Sequence, residues 1–169
     1  MDRPRPQFRP ATERDIPLIR SLSDWIWHHC YKDIIPPGQI EFMLDSMYSE
    51  AELRQQLQRG VHWQILELNG NPAGYASSSW HPDTRLLELH RLYLDPSAHG
   101  QGVGQWMLAE IQTRARHLGG VGVFLRVNKN NQRALRAYER AGFRIQSAMV
   151  QDIGHGYVMD DFILHWSHA

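Results

Sequence analysis

Leu92-Tyr-Leu-Asp-Pro-Ser-Ala-His-Gly-Gln-Gly-Val-Gly104 closes one periodicity and opens another. Upstream, from Arg85 to Asp95, the residues alternate as in a strand. Leu86, Glu88, His90, Leu92 and Leu94 share one face, and Leu87, Leu89, Arg91 and Tyr93 the other. Downstream, Met107, Leu108, Ile111, Ala115 and Leu118 recur at helical spacing until Gly119-Gly120 stops the run. Between the two, Gly100, Gly102 and Gly104 sit where a strand hands over to a helix. Glycines at such a junction leave backbone N–H groups uncovered beside the positive end of a helix dipole, an anion-binding arrangement. A bare tight turn explains the triplet equally well. The dinucleotide fingerprint needs Gly-x-Gly-x-x-Gly and the triphosphate loop a Gly-Lys-Ser/Thr ending, and neither is present.

Outward from this turn the pattern is strand, helix, strand. Val121 to Val127 is an apolar strand, Asn128 to Ala141 a short helix, and Gly142-Phe143 opens a strand to Ile153. Gly154-His155-Gly156 is a hairpin loop into a last strand from Tyr157 to Trp166. Toward the N-terminus, residues 1–6 hold two of the prolines and read as a flexible tail, with residues 7–169 forming a single domain. A short strand over Phe8 to Pro10 precedes a helix carrying Ile16, Ile19, Leu22, Trp25, Ile26 and Cys30 on one stripe, capped by Thr12 or Asp15. Pro36 and Pro37 break it. Ile40, Met43, Leu44 and Met47 mark a second helix, and Leu53 and Leu57 a third, behind a Ser49-x-x-Glu52 cap. Val61 to Leu68 and Ala73 to Trp80 are strands joined at Asn69-Gly70, a two-residue hairpin signal. The whole predicts an α+β domain, antiparallel strands first and a strand-helix-strand crossover later.

The chain has 169 residues, one ordinary domain's worth, with 42% hydrophobic and 21% charged residues, so it folds around a core. Lys plus Arg number 18 against 18 Asp plus Glu, which argues against a nucleic-acid partner held by phosphate contacts. The single cysteine, Cys30, forms no internal disulfide and builds no cysteine metal site, so the expected address is cytoplasmic. The start, Met1-Asp-Arg-Pro-Arg-Pro6, lacks an apolar signal region, and no apolar stretch is long enough to span a bilayer, so no membrane is expected as a partner. His28, His29 and Cys30 point about 100° apart on a helix and do not converge on one ion, so no metal is expected. His165 and His168 read as tail residues.

His99-Gly-Gln-Gly-Val-Gly104, after the Leu92-Tyr-Leu-Asp-Pro96 strand end, resembles the [Q/R]-x-x-G-x-[G/A] acetyl-CoA loop of the GNAT N-acetyltransferase superfamily. Asn131-x-x-Ala134-x-x-x-Tyr138-x-x-x-Gly142-Phe143 is similar to a second family segment at the expected distance downstream. The resemblance implies the GNAT acyl-CoA N-acyltransferase fold, a mostly antiparallel mixed sheet of about seven strands flanked by helices, over nearly the whole chain. It implies transfer of the acetyl group of acetyl-CoA to a primary amine, such as a polyamine or a peptide amine, by direct attack in a ternary complex. His99 departs from the family's usual Gln or Arg, and reads as a pH-dependent cofactor contact or as a plain surface histidine.

The same resemblance assigns roles. Gly100, Gln101, Gly102, Val103 and Gly104 hold the cofactor's pyrophosphate on their amides. Leu92, Tyr93 and Leu94 pair with the pantetheine arm, and the Leu94 N–H faces the thioester oxygen, a donor typically worth ~3 kcal/mol of barrier. Tyr138 protonates the departing thiolate, or is a core tyrosine. Asn131 holds the pantetheine arm, caps its helix, or does both, since capping uses only the side-chain oxygen. The amine must lose a proton, and Glu88 at family spacing is the first choice of base, with His90 on the same face the second. Glu88 reads otherwise as a strand carboxylate paired with Arg91 or Arg126. Trp25, Trp27, Tyr31 and Phe42 form an aromatic group of the core or of the acceptor pocket. Asp160 and Asp161 suit a cationic amine but face opposite sides of a strand. A non-catalytic acyl-CoA sensor and a protein lysine or N-terminal acetyltransferase are the alternative functions, and an exposed C-terminal strand edge permits a homodimer.

Overall fold

The computed structural model describes residues 2–168. The chain divides into two compact units, one holding the residues up to Ser78 together with Arg91–Val103, the other Ser79–His90 with the residues from Gly104 onward. Strands β3 (Asn71–His81) and β4 (Leu86–Leu94) contribute residues to both.

In the first unit, β1 (Pro6–Pro10) pairs antiparallel with β2 (His62–Leu68), and β2 pairs antiparallel with β3, placing Ile65 opposite Tyr75. The hairpin at Asn69-Gly70 has φ of 52° and 83° at its two central residues, the left-handed geometry whose twist suits a two-residue connection. The ordered chain begins earlier than the expected tail allows. Pro6 lies opposite Leu68, and the Arg5 carbonyl accepts from the Asn69 N–H at 3.1 Å, so the hairpin's own polar groups recruit residues 5 and 6. Three helices lie between β1 and β2: α1 (Ile16–Cys30), α2 (Pro37–Met47) and α3 (Glu50–Gln58). Ser49 caps α3, its hydroxyl accepting from the Glu52 N–H at 3.1 Å. The expected side-chain cap on α1 is absent. The Asp15 carboxylate instead takes two Arg9 nitrogens at 3.0 and 2.8 Å and the Thr12 N–H at 2.9 Å.

Ile19, Ile26 and Leu53 are fully enclosed around an aromatic centre of Trp27, Tyr48, Trp63 and Tyr75. Tyr48 accepts from the Tyr75 hydroxyl at 2.9 Å and from Trp27 Nε1–H at 3.2 Å, so burial leaves neither donor orphaned. Trp25, expected on the buried stripe, is 57% exposed, because the stripe of α1 is centred on Ile19, Ile26 and Trp27 and leaves Trp25 at its margin.

In the second unit the strand order is β3-β4-β5-β7-β6. Strand β5 (Gly122–Asn128) runs parallel to β4, Leu87 opposite Val123, with α4 (Val103–His117) in the crossover. Strand β7 (Tyr157–Ser167) lies antiparallel between β5 and the edge strand β6 (Arg144–Gly154). Leu87, Leu89, Val123 and Leu125 are buried with Met107, Leu108 and Ile111 of α4. Leu118 falls beyond the helix and is exposed. Helix α5 (Gln132–Arg140) starts later than expected: Asn128 still belongs to β5, its side chain accepts from the Asn130 N–H, and Asn131 forms the cap. The strands together follow the order β1-β2-β3-β4-β5-β7-β6, a seven-stranded mixed sheet. Among the described residues no helix is long and apolar enough to cross a membrane.

Candidate active site

In the first unit the end of β4 and the glycine turn form one continuous backbone feature. Asp95 Oδ1 accepts from the Ser97 N–H at 2.9 Å and starts a single 3-10 turn, Pro96–Ala98. The His99 ring meets the Leu94 carbonyl at 3.1 Å, which ties the turn to the strand. His99 thus has an intrachain contact where the family more often has Gln or Arg. Gly100 and Gly102 have φ of 78° and 82°, a conformation that costs a side-chain-bearing residue roughly 1–2 kcal/mol, and a Cβ on either would meet nothing within 4 Å. The turn therefore requires glycine for its backbone and leaves open space where side chains would be. Tyr93 is turned into the core, its hydroxyl 3.0 Å from that of Tyr31 and its ring 5.5 Å from Tyr75, with burial raising its hydroxyl well above the usual range. Only its backbone remains for the expected cofactor role.

Arg91, on the opposite face of β4 from Glu88, is buried in the same unit. Its guanidinium lies 5.0 Å from the ring centres of both Tyr48 and Trp63 and donates to Gln56, Ser77 and the Met47 carbonyl.

In the second unit, Gly104 follows Val103 at the start of α4, and a Cβ there too would meet nothing within 4 Å. Asn131 caps α5, its Oδ1 accepting from the Ala134 N–H at 3.2 Å, which keeps its amide nitrogen as a donor. Tyr138 stands edge-on to Phe143 with ring centres 5.7 Å apart, and burial pushes its hydroxyl up to about 12, so it holds its proton at neutral pH.

Glu88 is not paired with Arg91 or Arg126. Its two oxygens are divided between two imidazoles, Oε1 at 2.9 Å from His81 Nε2 and Oε2 at 3.3 Å from His90 Nδ1. His90, then His81, holds the carboxyl at about 2 against the opposing effect of burial, so Glu88 is an anion across the working range. On its other side, His90 Nε2 lies 2.7 Å from the Ser79 hydroxyl. Arg91 is excluded from this cluster because strand alternation sends it to the buried face, and Arg126 reaches Gln151 instead. His165, expected in the tail, lies in β7 and stacks on Phe124, and its burial lowers its pKa. Asp160 pairs with Lys129 at 2.7 Å, while Asp161 is buried and its carboxyl raised by burial, so the two do not form an acidic cluster. His28 meets the Asp24 carbonyl and the Glu41 carboxylate.

Ser79 and His81 were not singled out by the sequence. The signal lay in the Pro82–Arg85 turn: folding β3 back on β4 there brings His81 to Glu88 and Ser79 to His90, two steps outward along one hairpin.

The chain belongs to the GNAT acetyltransferase family, whose model matches residues 21–143, and it is an acyltransferase. It is 36% identical over 132 residues to an uncharacterized N-acetyltransferase of Mycobacterium bovis, covering 74% of this chain and 83% of that protein. A mycothiol acetyltransferase of Acidothermus cellulolyticus is 39% identical over 89 residues, half of this chain and 26% of that protein. In fold the chain is similar to the PaiA N-acetyltransferase of Thermoplasma acidophilum solved in complex with coenzyme A, with a TM-score of 0.83, 20% identity, and 97% and 99% of the two chains covered.

Proposed function

We propose that this enzyme transfers the acetyl group of acetyl-CoA to a primary amine, a small molecule such as a polyamine or a peptide amine, by direct attack in a ternary complex. The observation that carries the reading is the glycine turn: positive φ at Gly100 and Gly102, and no neighbour within 4 Å of a Cβ at Gly100, Gly102 or Gly104. A turn of this kind offers backbone amides and room to a pyrophosphate, so the residues fit acetyl-CoA. Coenzyme A in the similar Thermoplasma structure supports the same choice.

Each residue then has a task. The amides of Gly100, Gln101, Gly102, Val103 and Gly104 hold the pyrophosphate, and the backbone of Leu92, Tyr93 and Leu94 pairs with the pantetheine arm. The Leu94 N–H polarises the thioester carbonyl. Asn131 donates its amide to the arm. Tyr138, which keeps its proton, protonates the departing thiolate. The amine's proton is taken up at the Glu88 and His90 pair. His99 acts through the backbone it fastens, at the Leu94 carbonyl. No metal takes part in this scheme, and the reaction is assigned to the cytoplasm. The C-terminal strand β7, expected to offer a homodimer its exposed edge, is paired on both sides by β5 and β6, so the edge on offer is that of β6.

Release of free thiol from acetyl-CoA, measured with polyamines, amino acids, aminoglycosides and short peptides with free amino ends, tests the reading. Turnover with one amine class is expected. A thermal shift with acetyl-CoA but no turnover across the panel would favour a sensor, and no shift would overturn the assignment of the glycine turn.

A further inference from the structure

The cluster around Glu88 holds more than the base that acetyl transfer requires. Four side chains from two adjacent strands stand in line: Ser79 Oγ is hydrogen-bonded to His90 Nε2 at 2.7 Å and Glu88 Oε1 to His81 Nε2 at 2.9 Å, and between these two pairs His90 Nδ1 lies 3.3 Å from Glu88 Oε2 in an ion-pair contact. We propose that Ser79 and His90 form a proton relay in which Ser79 passes the amine's proton to His90, while Glu88, fixed by His81, positions the His90 ring. This rests on the N-acetyltransferase reading.

The hydrogen-bond directions follow from the order of the groups. Ionised Glu88 only accepts, so the neutral His90 ring turns Nδ1–H toward it and offers the Nε2 lone pair to the Ser79 hydroxyl. When an ammonium meets Ser79, its N–H bond breaks as a new O–H bond forms at Oγ. The hydroxyl's former O–H bond breaks as an N–H bond forms at Nε2. No net charge is created: the positive charge leaves the acceptor and rests on an imidazolium beside the Glu88 carboxylate. The amine keeps its lone pair for attack on the thioester. Both Glu88 oxygens already face imidazoles, Oε1 at 2.9 Å from His81 and Oε2 at 3.3 Å from His90, so Glu88 acts through His90.

The surroundings leave this arrangement intact. From β3 Ser79 faces His90 and His81 faces Glu88, and from β4 Glu88 faces His90. Phe124 of β5 lies against His81 and, on β7, against His165, whose pKa burial lowers. Arg126, also on β5, is directed to Gln151, with Asp161 of β7 the acid in its field. His81, with 44% of its side chain exposed, closes the outer end of the chain, and Glu88 is the more enclosed at 21%.

Two measurements on the full chain test the relay. The first is the pH dependence of kcat with the best amine of the panel. Ser79→Ala is expected to lower kcat at pH 7 by about tenfold or more, with the deficit closing as pH rises toward ~10.4, where a lysine-like amine arrives already deprotonated. Ser79→Thr keeps the hydroxyl and is expected to restore the rate, and His90→Gln to show the same pH-dependent deficit as Ser79→Ala. A Ser79→Ala deficit constant across pH would mark a structural effect and overturn the relay, as would wild-type profiles in both variants. The second is nitrogen NMR of the His90 ring in the free protein, which needs no turnover. The neutral ring is expected to carry its proton on Nδ1, and Glu88→Gln to move part of that population to Nε2. A ring protonated on Nε2 in the wild type overturns the relay even if the enzyme turns over. The expected tautomer in a protein inactive on every amine leaves the geometry standing and overturns the acetyl-transfer reading instead.

Discussion

The Arg91 guanidinium carbon lies 5.0 Å from the centre of the Tyr48 ring and the same distance from that of Trp63. The side chain is 8% exposed and donates only to neutral oxygens, those of Gln56, Ser77 and Met47. Its charge is thus held by π-faces and dipoles. Arg91→Ala removes these contacts and opens a cavity, and is expected to lower stability by about 3 kcal/mol in urea denaturation, while Arg91→Met, which refills the volume without a charge to desolvate, recovers most of it. An Arg91→Met variant as unstable as Arg91→Ala would show that the cation itself carries the stabilisation.

Acid should reveal Glu88. Its folded-state pKa of about 2 lies below its ordinary 4.5, so the stability it contributes is fully present above pH 4.5 and is lost as pH falls through 2. For a group one-fifth exposed this contribution is on the order of 2 kcal/mol. Urea midpoints compared at pH 5.5 and 2.5 should fall less in Glu88→Gln than in the wild type. Equal falls would assign the acid sensitivity to another carboxylate.

The glycine turn separates folding from binding. Gly102→Ala is expected to cost about 1–2 kcal/mol through its positive φ and to weaken acetyl-CoA binding as well. Gly104→Ala differs: Gly104 lies in the first turn of α4, φ there is not left-handed, and no neighbour stands within 4 Å of its Cβ, so helix propensity predicts stability unchanged or raised by up to about 1 kcal/mol. Its acetyl-CoA Kd should nevertheless rise at least tenfold by calorimetry, and an unchanged Kd would remove Gly104 from the cofactor site.

Tyr138→Phe deletes one hydroxyl and leaves the edge-on packing against Phe143. It is expected to lower kcat about a hundredfold with little change in the KM for acetyl-CoA, as befits a proton donor to the leaving group. A rise in KM with kcat preserved would make Tyr138 a binding residue.

Much of this is legible in the sequence. α1 runs over Ile16–Cys30 as its apolar spacing indicates, Ser49 caps α3, and the Asn69-Gly70 hairpin has the conformation its residues prefer. These features are local, and their causes lie within a few residues of chain. What escaped was decided across strands. Arg91 could be put on the face opposite Glu88 by alternation, yet its partners come from α2, α3 and β3, and no spacing along β4 names them. His165 became a stacked strand residue only because β7 lies beside β5. For the site, the motifs pointed to Asn131, Tyr138 and the glycine turn, and alternation grouped Glu88 with His90. The contribution of Ser79 and His81 needed the β3–β4 hairpin closed, which turns two polar residues at a strand end into partners of the candidate base.

The position of β7 between β5 and β6 sets an order of events on the ribosome. When β5 and β6 have been synthesised, the strand that joins them has not yet left the exit tunnel, and each waits with an unpaired edge. Ile145 and Val150 of β6, more than half exposed even in the finished fold, are open to wrong neighbours throughout that interval. A message broken before Tyr157 therefore yields a chain that keeps its glycine turn and its candidate catalytic strand but never closes its sheet, material for a chaperone or a protease rather than a slower enzyme.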